Sequence, residues 1–141
     1  MSLGDTPRAM SQENVETVRR VIGALEAGDY GRAASHFEPG AEWHNTDGFP
    51  GPAVCRGFDE IRAFWKGMFE NFDREGLEVE RIAHSGGLVV VGLHSTGTGR
   101  ASGVPIDVHW ASVYELRAGK VVRVTVHGGF AKALGAAGLS E

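Results

Sequence analysis

Cysteine is nearly missing from this 141-residue chain: Cys55 is the only one. One thiol excludes an intrachain disulfide, which fits a reducing, cytoplasmic setting. Beside a helix start it reads as a small hydrophobe rather than a nucleophile. Long hydrophobic runs are missing too. No apolar stretch approaches the ~20 residues of a membrane span, and the N-terminus lacks the basic-then-apolar order of a secretory signal. Positive charge is scarce, since 14 Lys and Arg against 18 Asp and Glu leave a net charge of -4. Without a basic stripe, neither nucleic acid nor a membrane surface is an expected partner. No HExxH or CxxC pattern is present, and the glycine-rich GTGRASG at 97–103 lacks the strand-then-helix context of a nucleotide loop. It reads as a flexible hairpin loop.

What is present is ordinary for one globular domain: 42% hydrophobic and 23% charged residues. Segment 1–9 reads as a leader or disordered tail, and 10–141 as the single domain. The chain is organised around a hairpin at 104–127, VPIDVHWASVYEL then RAG then KVVRVTVH. Its arms are rich in β-branched and aromatic residues. A three-residue loop, Arg117-Ala118-Gly119, predicts a register in which Ser112 faces Val124, Trp110 faces Val126 and Val108 faces Gly128. Alternation then puts Ile106, Val108, Trp110, Tyr114, Leu116, Val122, Val124 and Val126 on the core face. Asp107, His109, Ala111, Val113, Glu115, Arg123, Thr125 and His127 share the other.

Ahead of the hairpin, helical spacing of Val15, Val18, Val21, Ile22 and Leu25 predicts a helix over 12–27, with Ser11 as its N-cap. Gly28-Asp29 ends it. A short helix over 30–37, a strand over 41–45 and a loop over 46–56 follow, the loop marked by Asp47-Gly48, Pro50-Gly51 and Pro52. From Asp59 a third helix carries Ile61, Phe64, Trp65, Met68 and Phe69. Strands are expected over 77–83 and 88–96. Residues 130–139 can form a short helix or trail along the surface. Three helices with a strand inserted, then four long antiparallel strands, make an α+β fold.

Three stretches, GDYGRAASHFEPGAEW, CRGFDEIRAFW and ELRAGKVVRV, resemble the SnoaL-like branch of the nuclear transport factor 2-like superfamily. The resemblance covers 10–139. It implies a cystatin-like cone: a curved antiparallel sheet wrapped around three N-terminal helices, with an apolar pocket at the wide end. It also implies a homodimer through the outer sheet face. Relatives include ketosteroid isomerases, polyketide cyclases, epoxide hydrolases, dehydratases and binders without chemistry, so fold alone does not assign function.

Set against those relatives, the chain departs at the positions that carry chemistry. The isomerase base falls at Asn45, the tyrosine at Val21 and the acid at Ser112, while the cyclase Asp falls near Val126. His44, beside the base position, is the remaining candidate catalytic base, although its side chain should point opposite to that of Asn45. Glu42 could orient it. His109 and His127, expected face to face, and His94 nearby could bind zinc or copper, but their spacing matches no short metal motif. No metal or cofactor is expected. The expected pocket is lined by Trp43, Asn45, Trp65, Phe69, Val108, Trp110, Ser112 and Val126, for a hydrophobic small molecule. The leading expectation is a binder. The alternatives are an isomerase, cyclase, dehydratase or hydrolase, or an interaction module using the outer sheet face. The small and β-branched residues of that face, with its paired imidazoles, favour a sheet-to-sheet dimer.

Overall fold

The computed structural model describes residues 7–46, 49 and 51–140. The turn signals at Asp47-Gly48 and Pro50, and the first six residues of the expected leader, lie outside that description. Helix α1 (Pro7–Glu26) begins earlier than its apolar spacing suggests, so 7–9 are helical. Proline suits the first helical turn, where no intrahelical N–H bond is lost. Ser11 is therefore not the N-cap. Its hydroxyl and the Asn14 amide both donate to the Gly86 carbonyl, at 3.4 and 3.2 Å, tying the helix to a distant strand turn. Gly28, at φ 74°, ends α1: Asp29 N–H reaches the Ala24 carbonyl and Gly28 N–H reaches Leu25. That paired closure needs a left-handed residue, which glycine supplies without a Cβ clash. Asp29 then caps α2 (Tyr30–Ala34), accepting from Arg32 N–H at 3.1 Å.

The strands are β1 (Phe37–Asn45), β2 (Val54–Arg56), β3 (Phe72–Ser85), β4 (Leu88–Gly99), β5 (Pro105–Arg117) and β6 (Lys120–His127), with α3 (Gly57–Glu70) after β2 and α4 (Phe130–Ala137) at the end. They form one sheet in the order β2-β1-β6-β5-β4-β3. The α+β class is as expected. One pair is parallel, β1 with β6, so the sheet is mixed. Helices α1, α2 and α3 supply Val18, Val21, Leu25, Ala33, Ile61 and Trp65 to a core that also takes in Phe37, Trp43, Leu93, Tyr114, Val124 and Val126 from the strands.

The hairpin register differs from the expected one. Ala118 (φ 51°) and Gly119 (φ 78°) are both left-handed, and Arg117 pairs with Lys120. This is a two-residue turn whose twist matches its strands. A bulge between Leu116↔Val121 and Glu115↔Arg123 leaves Val122 as the extra residue. Ser112 therefore faces Val126, not Val124, and Ala111 faces His127. His109 faces His94 on β4. The shift is two residues, so Trp110, Tyr114, Val124 and Val126 stay on the inner face. Val121, rather than Val122, fills the core beside them. An alanine held left-handed is strained by about 1–2 kcal/mol. We expect Ala118→Asn to stabilise the protein by about 0.5–1 kcal/mol, because asparagine tolerates that conformation and Asn-Gly favours this turn. A urea midpoint would check it, and a fall in the midpoint would contradict the turn geometry.

The outer face is not left open. Helix α4 lies on it, and Ala133 and Leu134 pack with Val90, Ala111 and Val113 in a second apolar cluster. Phe130 rests over Gly92, where an added Cβ would come within 3.1 Å of its ring. The Arg81 guanidinium sits 4.6 Å from the centre of that ring. Ala111 and Val113, which suggested a sheet-to-sheet contact, are thus buried by the chain's own helix. No helix among the described residues is long and apolar enough to cross a membrane.

Candidate functional site

Between α3 and the inner sheet face lies a cavity of about 270 Å³. It is small for a ligand site. Helical geometry divides the α3 stripe. Ile61 and Trp65, four apart, turn into the core and are fully buried. Phe64, Met68 and Phe69 line the cavity instead. Trp43 and Asn45 come from β1, Ile106, Val108 and Trp110 from β5, and Val126 from β6. Phe49, in the β1–β2 connection, tilts toward Trp110 with ring centres 6.3 Å apart. Phe72, Arg74, Ser95, Thr96 and Gly97 complete the wall.

The structure thus brings together Trp43, Asn45, Phe69, Val108, Trp110 and Val126 of the expected set. Two of the set lie elsewhere. Trp65 is buried behind Trp43, edge-on at 5.6 Å. Ser112 is fully buried between Val91 and Val126 on neighbouring strands, and its hydroxyl has no hydrogen-bond partner among the described residues. Val21 is also core.

His44 is not at the cavity. As alternation requires, it points to the outer face, where it bonds Glu42 at 2.8 Å. Arg56 reaches the other Glu42 oxygen at 3.1 Å, and Arg123 lies 3.7 Å from the carboxylate. Hydrogen bonds from His44 and then Arg56 hold the Glu42 carboxyl below its ordinary range. The result is a surface ion-pair network, and the expectation of His44 as a pocket base is corrected. Cys55 is buried, and that burial pushes its thiol up, which disfavours a nucleophile. Burial likewise pushes the Tyr114 phenol far up, and Tyr114 does not line the cavity.

The polar groups in the wall are largely committed to the protein. Asn45 Oδ1 accepts from Trp43 Nε1 at 3.0 Å, and its Nδ2 donates to the Pro52 carbonyl at 2.9 Å. Ser95 Oγ accepts from Trp110 Nε1 at 2.9 Å. Arg74 donates to the carbonyls of Leu25 and Glu26 at the end of α1, at 2.6 and 2.5 Å, and its guanidinium lies 4.7 Å from the Phe69 ring centre. What remains facing the void is mostly aromatic and aliphatic surface. No carboxylate and no imidazole lines it among the described residues. Phe64 and Met68 were visible in the α3 stripe, but spacing did not show which side of the stripe met a void. Phe49 and Arg74 carried no pattern that could have marked them.

The outer face holds a second cluster. The His94 and His109 rings stack in parallel, 4° apart in plane and 4.2 Å between centres. His94 Nε2 lies 2.6 Å from Asp107 Oδ1, and His109 Nδ1 lies 2.8 Å from Glu80 Oε1. The hydrogen bond to Asp107 is the main reason the His94 imidazole titrates above its ordinary range. His127 stands opposite Ala111 instead, which corrects the expected His109–His127 pair.

The family model of the SnoaL-like domain matches residues 18–124. No curated protein matches the chain. Among solved structures, a candidate SnoaL-like polyketide cyclase from Jannaschia sp. CCS1 is 24% identical over 83% of this chain and 85% of its own, with a TM-score of 0.74. An NTF2-like protein of unknown function from Burkholderia pseudomallei K96243 is 22% identical, covering 86% and 95%, with a TM-score of 0.72. A Catenulispora acidiphila protein with a ketosteroid isomerase-like fold, solved with trimethylamine, is 13% identical over 89% and 94%, at 0.71. At these identities the likeness carries the fold and not the chemistry.

Proposed function

The chain belongs to the SnoaL-like domain family, and on that premise we propose that it is a binding protein for a small, mostly apolar, aromatic molecule of one or two rings. One observation carries this reading: six aromatic rings, those of Trp43, Phe49, Phe64, Phe69, Phe72 and Trp110, line a small cavity in which Asn45 and Ser95 are bonded within the protein and Arg74 Nη1 is left as a buried donor without a partner among the described residues. Apolar burial then supplies the affinity, at about 25 cal/mol per Å² of ligand surface removed from water, and ring-to-ring contacts add to it. An isomerase, cyclase, dehydratase or hydrolase would need a proton carrier at the ligand. Asn45 has no titrating group, and His44 lies on the other face. The single buried thiol supports a cytoplasmic setting, and the acidic balance supports no nucleic-acid role.

2-Naphthol is a suitable probe, because Trp43 and Trp110 border the cavity and should report its entry by fluorescence. We expect saturable, one-to-one quenching. The same preparation should not turn over a 5-ene-3-ketosteroid, since a positioned general base is typically worth ~10²–10⁴-fold. Absence of saturable binding would remove the binder reading, and isomerase-level turnover would restore the enzyme. A homodimer through the outer sheet face is part of the proposal in altered form: with α4 over Ala111 and Val113, the contact must include α4. Light scattering at micromolar concentration should return twice 15.0 kDa, and a monomer would end that part alone.

A further inference from the structure

The outer-face cluster has no part in the cavity, and its donor set has a chemistry of its own. We propose that Glu80, His94 and His109 form a binding site for a borderline divalent cation of the zinc type, with Asp107 beside it. One ligand atom from each of the three residues lies within 4.8 Å of the others. Tetrahedral zinc, with bonds of about 2.0–2.2 Å, holds neighbouring ligand atoms about 3.4 Å apart, so closing the site takes a rotation that splays the two stacked rings until one nitrogen of each points at a shared ion. That rotation is available, because the His109 side chain is 62% exposed and Glu80 is also at the surface.

The backbone sets the convergence. His94 and His109 are direct cross-strand partners on β4 and β5, on one rigid face. Glu80 is the extra residue of a bulge in β3, between Val79↔Leu93 and Arg81↔Gly92. Asp107 Oδ1 is 2.6 Å from His94 Nε2 and 3.9 Å from His109 Nε2. A carboxylate beside a ligating imidazole fixes its tautomer and raises its basicity, which is the position Asp107 occupies. Glu78, paired with His94 across the strands, adds negative charge. Imidazole nitrogens select zinc, nickel or copper over magnesium and calcium, and three protein ligands leave a position open to water.

The test is calorimetric titration of the full chain with zinc chloride in a non-chelating buffer, alongside thermal unfolding with and without zinc. One equivalent should bind and raise Tm. His94→Gln with His109→Gln should weaken binding at least about tenfold and abolish the Tm rise. His44→Gln, which removes the separate imidazole beside Glu42, should leave both unchanged. If the double variant fails to fold, the exposed single variant His109→Gln decides, and its affinity must fall. Binding no tighter than about 0.1 mM, or binding that survives the loss of His109, overturns the site. Neither result bears on the aromatic cavity, which 2-naphthol reports separately.

Discussion

Trp65→Ala should destabilise the protein by about 3–5 kcal/mol, the range for emptying a buried tryptophan site. Trp65 is fully buried and joins three elements through its rings. It meets Phe37 and Trp43 of β1 edge-on at 5.4 and 5.6 Å, and Tyr30 of α2 at 6.5 Å. Most of that surround is held by strand pairing and cannot collapse into the space left behind. A domain of this size has about 5–15 kcal/mol in total, so the variant would sit near the folding threshold. Trp65→Phe should be much milder, below about 1.5 kcal/mol, since it keeps most of the volume and Trp65 Nε1 has no hydrogen-bond partner among the described residues. Urea unfolding of the two variants would check both figures. Equal losses would mean that a polar contact of the indole, not its volume, matters.

Much of the fold was legible in the hydrophobic pattern, and the errors have definite causes. The alternation through Val108, Trp110 and Tyr114 identifies the inner sheet face even though the loop residues predict a different pairing from the one formed. A two-residue register error preserves parity, whereas a one-residue error would have turned every side chain over. The register itself was hidden because it depends on Ala118 taking a left-handed conformation, which alanine does not advertise. Residues 37–40, FEPG, look like a helix end followed by breakers. They are the start of β1, drawn into the sheet by pairing Phe37 with Val121. Val54–Arg56 is too short to show a period, and it becomes β2 only because β1 is beside it. Helix α4 is ambiguous for another reason: its sequence allows a helix, and the docking of Phe130 over Gly92 and of Ala133 and Leu134 on the outer sheet face gives that helix a place.

The site was legible where it rests on strands and less so where it rests on loops and on packing depth. Trp43, Asn45, Trp110 and Val126 follow from strand parity alone. Ser112 obeys the same parity but lies deeper, and parity carries no information about depth. Phe49 stands in a connection with no period. The metal cluster shows the same limit. His94 and His109 were visible as a patch, but Glu80 enters it through a bulge that no pattern announces, and the register error put His127 in its place.

Depth is also what separates two variants on one strand face. Trp110→Ala should weaken 2-naphthol binding by about 30-fold, while Ser112→Ala should leave it unchanged. Trp110 presents its ring to the cavity beside Phe49 and anchors its own nitrogen on Ser95 Oγ. Truncation removes that ring, frees Phe49 to move and leaves the Ser95 hydroxyl without its donor. A well-packed aromatic anchor is worth about 2 kcal/mol, and every 1.4 kcal/mol is about tenfold in affinity, which gives the expected factor. Ser112 contributes nothing to the cavity wall. Its buried, unpartnered hydroxyl is a cost to folding of about 1–3 kcal/mol, so Ser112→Ala should hold or raise Tm. Fluorescence titration and thermal unfolding of both variants would decide the matter. Should Ser112→Ala lose binding as Trp110→Ala does, the hydroxyl reaches the ligand and the cavity extends further along β5. Should Trp110→Ala bind as tightly as the parent, the ligand does not rest on the aromatic wall, and the proposed occupant is wrong.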